Sequence, residues 1–151
     1  MELPAGIIGS ASTTSVYVFA VSKMGIVDKL IINEDMTDIP SNTFRSMYIK
    51  TVEFPSSLKT IGVSAFSSCN VLTAIDLPST ITDISNGAFS YCSNLEEITV
   101  RATTPPSLSP TSLNNVPADC AIYVPSESVS AYKAASNWKT RADYIQAIPT
   151  E

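Results

Sequence analysis

Apolar residues along this chain keep a frame of 23 residues. With residues 52–74 written above 75–97, identical residues fall at Pro55/Pro78, Ser56/Ser79, Ile61/Ile84, Ala65/Ala88, Phe66/Phe89, Ser67/Ser90, Cys69/Cys92 and Leu72/Leu95. Val52/Ile75, Phe54/Leu77 and Leu58/Ile81 are similar. The frame opens again at Ile98 and runs for a few residues. Upstream, Leu30, Ile32, Ile39, Phe44 and Ile49 fit it with one residue deleted between Phe44 and Ile49. Self-similarity at such a period is the signature of stacked repeats.

Each unit divides into three pieces. In Thr73, Ala74, Ile75, Asp76 and Leu77 apolar and polar residues alternate, which predicts a half-buried strand. Pro78 ends it, because proline cannot donate to a ladder. Ile81 and Ile84 lie three apart in a second, short extended segment. Asn86 and Gly87 turn the chain, and residues 88–92 suit a tight helical or 3₁₀ turn with Phe89 and Cys92 inward. No unit can bury its apolar side alone. Stacked at the strand spacing of about 4.8 Å, like residues form columns: Phe54, Leu77 and Val100; Phe44, Phe66 and Phe89; Ile39, Ile61 and Ile84; Cys69 and Cys92. Nearest-neighbour contacts then hold a solenoid together.

These residues resemble a known family. The run from Leu72 through Ile75, Leu77, Pro78, Ile81, Ile84, Ala88 and Phe89 to Cys92 is similar to the 23-residue leucine-rich repeat of BspA-like bacterial surface proteins, the Treponema pallidum type. The resemblance covers roughly residues 30–100. The tail, with Ile122, Tyr123, Val124, Pro125, Val129, Tyr132, Trp138 and Ile145, resembles the C-terminal end of many members. The resemblance implies an extracellular or cell-surface location and, for some members, adhesion to host or bacterial surface proteins. The predicted fold class is a leucine-rich-repeat solenoid, strand-rich and right-handed with short 3₁₀ or helical turns, and a partly helical C-terminal cap. It is one domain over 1–151, with an irregular N-terminal cap over 1–27, repeats over 28–100 and a C-terminal cap over 101–151.

An array of this kind needs its open edges covered. Pro105, Pro106 and Pro110 break the repeat. Residues 120–125 alternate again and are expected to form the last strand of the sheet. Ser126 is the expected N-cap of a helix with Glu127 in its first turn, and Val129, Tyr132 and Ala135 give it an apolar face. Trp138 is expected to plug the end of the core, with Tyr144, Ile145 and Ile148 in a final turn or strand. At the other end residues 16–21 read as a strand, Lys23–Gly25 as a turn and residues 27–32 as a second strand. Met1–Thr14, rich in small residues, is expected to be poorly ordered.

Composition narrows the function. The chain has 151 residues, 44% of them hydrophobic, a net charge of −5 and only 15% charged residues. With 22 serines and 15 threonines, hydroxyls must build much of the surface. A pI near 4.6 opposes a nucleic-acid footprint or a polybasic membrane anchor, and no stretch has the length of a membrane span. Histidine is absent, which removes the commonest general base and the commonest metal ligand.

Four features could carry chemistry. Ser56 and Lys59 match the Ser-x-x-Lys string of penicillin-recognising enzymes, but the serine follows a strand-ending proline and the companion motifs are missing. Cys69 and Cys92 match no short-spaced zinc pair; their apolar place in the frame favours buried thiols over a disulfide. Cys120 has no evident partner. Residues 33–38 gather three carboxylates without the glycine and terminal glutamate of an EF-hand, leaving a solvated turn or a weak calcium site. The outward strand positions form the fourth feature: Thr51, Glu53, Ala74, Asp76, Glu97, Thr99 and Tyr123, with Lys29 and Ile31 beside them. They describe a shallow, mildly acidic, hydroxyl-rich face with an aromatic at one end. The expectation is a non-catalytic cell-surface or secreted binding and adhesion module with no cofactor and no metal. Its partner would be a host or bacterial surface protein or a glycan, with no nucleic acid and no membrane insertion. The alternatives are a structural spacer in a longer surface array and, last, an enzyme.

Overall fold

The computed structural model describes residues 25–151, together with the backbone of three two-residue strands upstream. Those are β1 (Gly6–Ile7), β2 (Tyr17–Val18) and β3 (Ser22–Lys23). Then follow β4 (Ile26–Ile31), β5 (Asp38–Ile39), β6 (Ile49–Glu53), β7 (Thr60–Ile61), β8 (Ala74–Leu77), β9 (Asp83–Ile84), β10 (Glu97–Val100), β11 (Ser107–Leu108) and β12 (Ala121–Val124). Helix α1 (Val129–Ala134), between 3₁₀ turns at Ser126–Ser128 and Trp138–Tyr144, leads to β13 (Ile145–Ala147). The expected disorder of Met1–Thr14 lies, apart from β1, outside the described residues. The strand expected over 16–21 is described at β2, which pairs antiparallel with β1.

Successive coils stack along three ladders. The long strands form a seven-stranded sheet in the order β13-β12-β10-β8-β6-β4-β3, parallel except for β3. The short strands form a four-stranded parallel sheet, β11-β9-β7-β5, in which Ile39, Ile61, Ile84 and Leu108 lie side by side. The third ladder runs through the turns: the amides of Phe44, Phe66 and Phe89 donate to the carbonyls of Ala65, Ala88 and Ser112. The frame is 22 residues from Lys29 to Thr51 and 23 from Thr51 to Ala74. The deletion in the first unit is therefore absorbed in its turn, with the register of the strands kept.

The turns carry the conformational demand. Two positions per coil have left-handed backbone: Asn42, Ser64 and Gly87 in one column, and Ser46, Ser68, Tyr91 and Asn115 in the other, with φ between 55° and 63°. Around the second of them, bonds such as Cys69 N–H to Phe66 O (3.3 Å) and Cys92 N–H to Phe89 O (3.3 Å) tighten the chain in 3₁₀ fashion. The predicted turns are thus present. Gly62 serves packing: a Cβ there would lie 2.6 Å from the Ile39 carbonyl oxygen of the coil below.

The interior is one continuous apolar column. Phe66 stacks on Phe44 and Phe89 with centroids 5.1 and 5.4 Å apart, worth about 0.5–1.5 kcal/mol per pair beyond area burial. Leu77 pairs with Val100, and Phe54 packs edge-on against Phe66. Cys69 and Cys92 are buried free thiols. Each donates to a phenylalanine carbonyl of the preceding coil, Phe44 O and Phe66 O, at 3.2 Å. Burial pushes both thiols up to about 12.

Two expectations at the C-terminal end are corrected. β12 is not the last strand, because β13 pairs parallel beyond it through Ile122↔Ile145. Ser126 is not an N-cap: it lies inside the 3₁₀ turn and its hydroxyl meets Glu127 at 3.3 Å, while α1 starts after Ser128 without a side-chain cap. Pro125 fixes the chain so that the first turn closes by Ser128 N–H to Pro125 O at 2.8 Å. Trp138 does close the core, fully buried and edge-on to Tyr132 at 5.3 Å.

Candidate functional site: the strand face

Alternation along the long strands sends every second residue out of the core. Stacking then turns single residues into rows. One row holds Lys29, Thr51, Ala74, Glu97 and Ala121; the next holds Asp76, Thr99, Tyr123 and Gln146, with Ile31 and Glu53 continuing it across β4 and β6. The seven predicted residues therefore share one face. Thr51, Glu53, Ala74, Asp76 and Glu97 are exposed, and Tyr123 is half-buried.

Thr99 departs from expectation, with only 7% of its surface exposed. It sits in the ladder between Asp76 and Tyr123. Arg101, two residues further on, reaches back to Asp76 with Nε–Oδ1 and Nη2–Oδ2 both 2.8 Å. The larger neighbours leave the threonine hydroxyl little access to a ligand.

Ion pairs reduce the acidic character of the face without abolishing it. Glu53 pairs with Lys29, and Asp76 with Arg101. Asp28 pairs with Lys50 at 2.6 Å at the start of the same strands. The carboxylate of Asp76 raises the affinity of Arg101 for its proton. Of the predicted carboxylates, only Glu97 has no ion-pair partner among the described residues. Arg101 is not among the predicted residues, although it shares its parity with Thr99 two positions earlier.

The face is uneven. β8 and β10 share four paired positions, whereas β6 and β8 share one, Thr51↔Ala74. Beyond that pair the strands part. An open groove of about 480 Å³ lies there, lined among others by Lys29, Thr51, Glu53, Phe54, Asp76 and Arg101. It brings together three predicted residues, Thr51, Glu53 and Asp76, with two cations at its rim and apolar surface from Val52, Phe54 and Pro78. Ala74, Glu97, Thr99 and Tyr123 are not part of it.

The other candidate chemistry resolves into structural roles. The Ser56 hydroxyl and amide both donate to the Glu34 carboxylate, at 3.1 and 3.2 Å, and Ser57 donates to Glu34 O and Met36 O. These bonds clamp one coil to the next, and residues 56–59 form no helix. In the 33–38 loop Asn33 accepts the Asp35 amide at 3.1 Å, and Met36 is buried. Asp38 accepts the Thr37 hydroxyl at 2.6 Å, which with Thr60 holds its carboxyl below the ordinary range. The carboxylates of Glu34 and Asp38 thus bond to different residues, and among the described residues no cluster of three metal-binding side chains forms. Among the described residues no helix is long and apolar enough to cross a membrane.

A family model described as the BspA-type leucine-rich repeat region matches residues 12–118, in six copies. No curated protein matches the chain.

Proposed function

The chain belongs to the BspA-type leucine-rich repeat family, and from that premise we propose that it is a non-catalytic, surface-displayed binding and adhesion module that uses its strand face. The family is typically surface-associated in bacteria and is generally non-catalytic. The observation that carries the reading is the groove where β6 and β8 part, because it offers paired donors and acceptors over an apolar floor. Lys29 and Arg101 would exchange part of their intramolecular bonding for a ligand's, and Thr51 adds a hydroxyl. Exposed ion pairs of this kind contribute about 0–1 kcal/mol, so the exchange costs little. A surface protein or a glycan is the partner class that fits.

The test is binding of immobilised host matrix proteins, bacterial surfaces and glycans by the wild type and by a Glu53→Lys, Asp76→Lys, Tyr123→Ala variant. The expected outcome is binding by the wild type and its loss in the variant, with the urea midpoint nearly unchanged. A variant that binds as well as the wild type would remove the strand face from the function. The second reading, a structural spacer, is favoured by the internal neutralisation of Glu53 and Asp76; a wild type that binds nothing on the panel would select it.

A further inference from the structure

Far along the coil from the strand face, the turn ladder presents a surface of different chemistry. Residues 64–72, 86–95 and 109–118, the turn segments of three successive coils, contain no Asp, Glu, Lys or Arg. The equivalent segment of the coil below them does carry a charge, Arg45. Water contacts are made instead by hydroxyls and amides, of which Asn70, Ser93, Asn94, Asn114 and Asn115 are exposed. At the centre stands Tyr91, 57% exposed.

Tyr91 is also the outlier of its column. Its φ is 61°, and the corresponding residues of the other coils are Ser46, Ser68 and Asn115, all left-handed. Small and amide residues tolerate that backbone; a bulky aromatic does so at a cost. Its ring is largely in water, so packing does not explain its presence. Strain held at an exposed position points toward function. The neighbourhood is ordered by the ladder: the Tyr91 amide donates to Asn114 O at 2.7 Å, and the Asn94 amide side chain donates to Asn70 O at 2.5 Å.

We propose that this uncharged turn face, centred on Tyr91, is a second binding surface that takes a neutral carbohydrate. A sugar ring offers a C–H face that packs flat on an aromatic, and hydroxyls that serve as both donors and acceptors. Asparagine side chains supply both functions from one group. The three segments themselves give a charged partner nothing to pair with, and the guanidinium of Arg141 at their C-terminal edge is bonded to the carbonyls of Leu113, Val116 and Pro117. The proposal does not depend on the strand-face reading.

The probe is a glycan array with separate arms for neutral host-type glycans, neutral bacterial and plant polysaccharides, and sialylated or sulfated glycans. The proteins are the wild type, Tyr91→Ser, Tyr91→Phe, and Glu53→Lys/Asp76→Lys. The expected result is wild-type binding in a neutral arm, at least tenfold weaker binding by Tyr91→Ser, retention by Tyr91→Phe, and, for the same glycan that Tyr91→Ser loses, no change in the strand-face variant. The source is read from which neutral arm responds. Tyr91→Ser should melt at or above the wild-type temperature. An array blank in both neutral arms, binding confined to the charged arm, or full binding by Tyr91→Ser overturns the proposal. Loss of binding accompanied by a lower melting temperature overturns it as well, because the ring would then be a packing residue.

Discussion

The interior coils and the C-terminal end solve the same hydrogen-bonding problem by different means. In the middle of the array, each coil hands its carbonyls to the backbone of the next. Ile39 O accepts from the Gly62 amide, Ile61 O from Ser85 and Ile84 O from Ser109. Thr37 O, Lys59 O and Thr82 O accept from Thr60, Asp83 and Ser107. At the end no further coil follows, and side chains take over. In the first column the Leu108 carbonyl receives the Asn137 amide side chain at 2.6 Å; in the second, Pro106 O receives the Trp138 indole N–H at 2.8 Å. Ser128 and Tyr132 hydroxyls donate to Thr103 O and Ala102 O, each at 2.7 Å, and Arg141 donates to the carbonyls of Leu113, Val116 and Pro117. Repetition satisfies the backbone wherever a next copy exists. Where it stops, buried carbonyls need donors of other geometry, and only a non-repeating sequence supplies them.

That contrast can be broken most forcefully at Trp138. Trp138→Ala should cost about 3–5 kcal/mol in urea unfolding, since it opens a cavity and strips the donor from Pro106 O. Phe66→Ala, in the middle, falls in the same range. Amide exchange separates the two: the Trp138 variant should release Ser107–Leu108 first. A Trp138→Ala cost below about 1 kcal/mol would mean that the indole does not seal the end.

Next in size is Gly62→Ala, expected to cost about 1–3 kcal/mol by overpacking, because Ile39 O and the Ser41 amide nitrogen at 2.7 Å belong to backbone that cannot step aside. A neutral result in thermal melts would show that adjacent coils are free to separate. Tyr132→Phe should cost on the order of 1–3 kcal/mol, the penalty for leaving Ala102 O buried and unpaired. If Tyr132→Phe were silent, water would be replacing the phenol and the end would be less closed than the middle.

The cysteine column adds a pH test of the interior. Cys69 and Cys92 are pushed up to about 12 by burial, so folding favours the neutral thiol. Their contribution is complete below the ordinary thiol range near about 8.5 and is lost as pH rises through the folded value. Melting temperatures should therefore decline between neutrality and pH 11, and the decline should be smaller in the Cys69→Ala/Cys92→Ala protein. An identical decline in both proteins would assign it to other groups. The smallest effect belongs to the strand face: Arg101→Ala should change stability by less than about 1 kcal/mol, read from paired urea curves.

The sequence made the interior legible because identity at fixed spacing translates directly into contact. Phe44, Phe66 and Phe89 stack, and Ile39, Ile61 and Ile84 pair, as their positions in the frame require. The ends of that legibility are equally physical. Residues 126–145 occur once in the chain, so no second copy reveals which of them faces the core; Ser126 is therefore not the cap that the local pattern suggests, and the turn or strand expected at Ile145 is a strand that extends the sheet beyond β12. On the strand face, outward parity placed all seven candidate residues correctly in rows. It could not reveal that Arg101 turns back to Asp76, that Lys29 reaches Glu53, or that Thr99 is covered.

What the amino-acid order determined alone is a period, and with it the columns and the coil length. Those follow from local propensity and from translation by a constant step. What only the packed molecule decided is where translation fails: the single pairing between β6 and β8, the neutralised carboxylates, and the side chains that replace a missing coil. Each depends on distances between residues at least 22 positions apart in sequence, and such distances exist only after the coils have stacked.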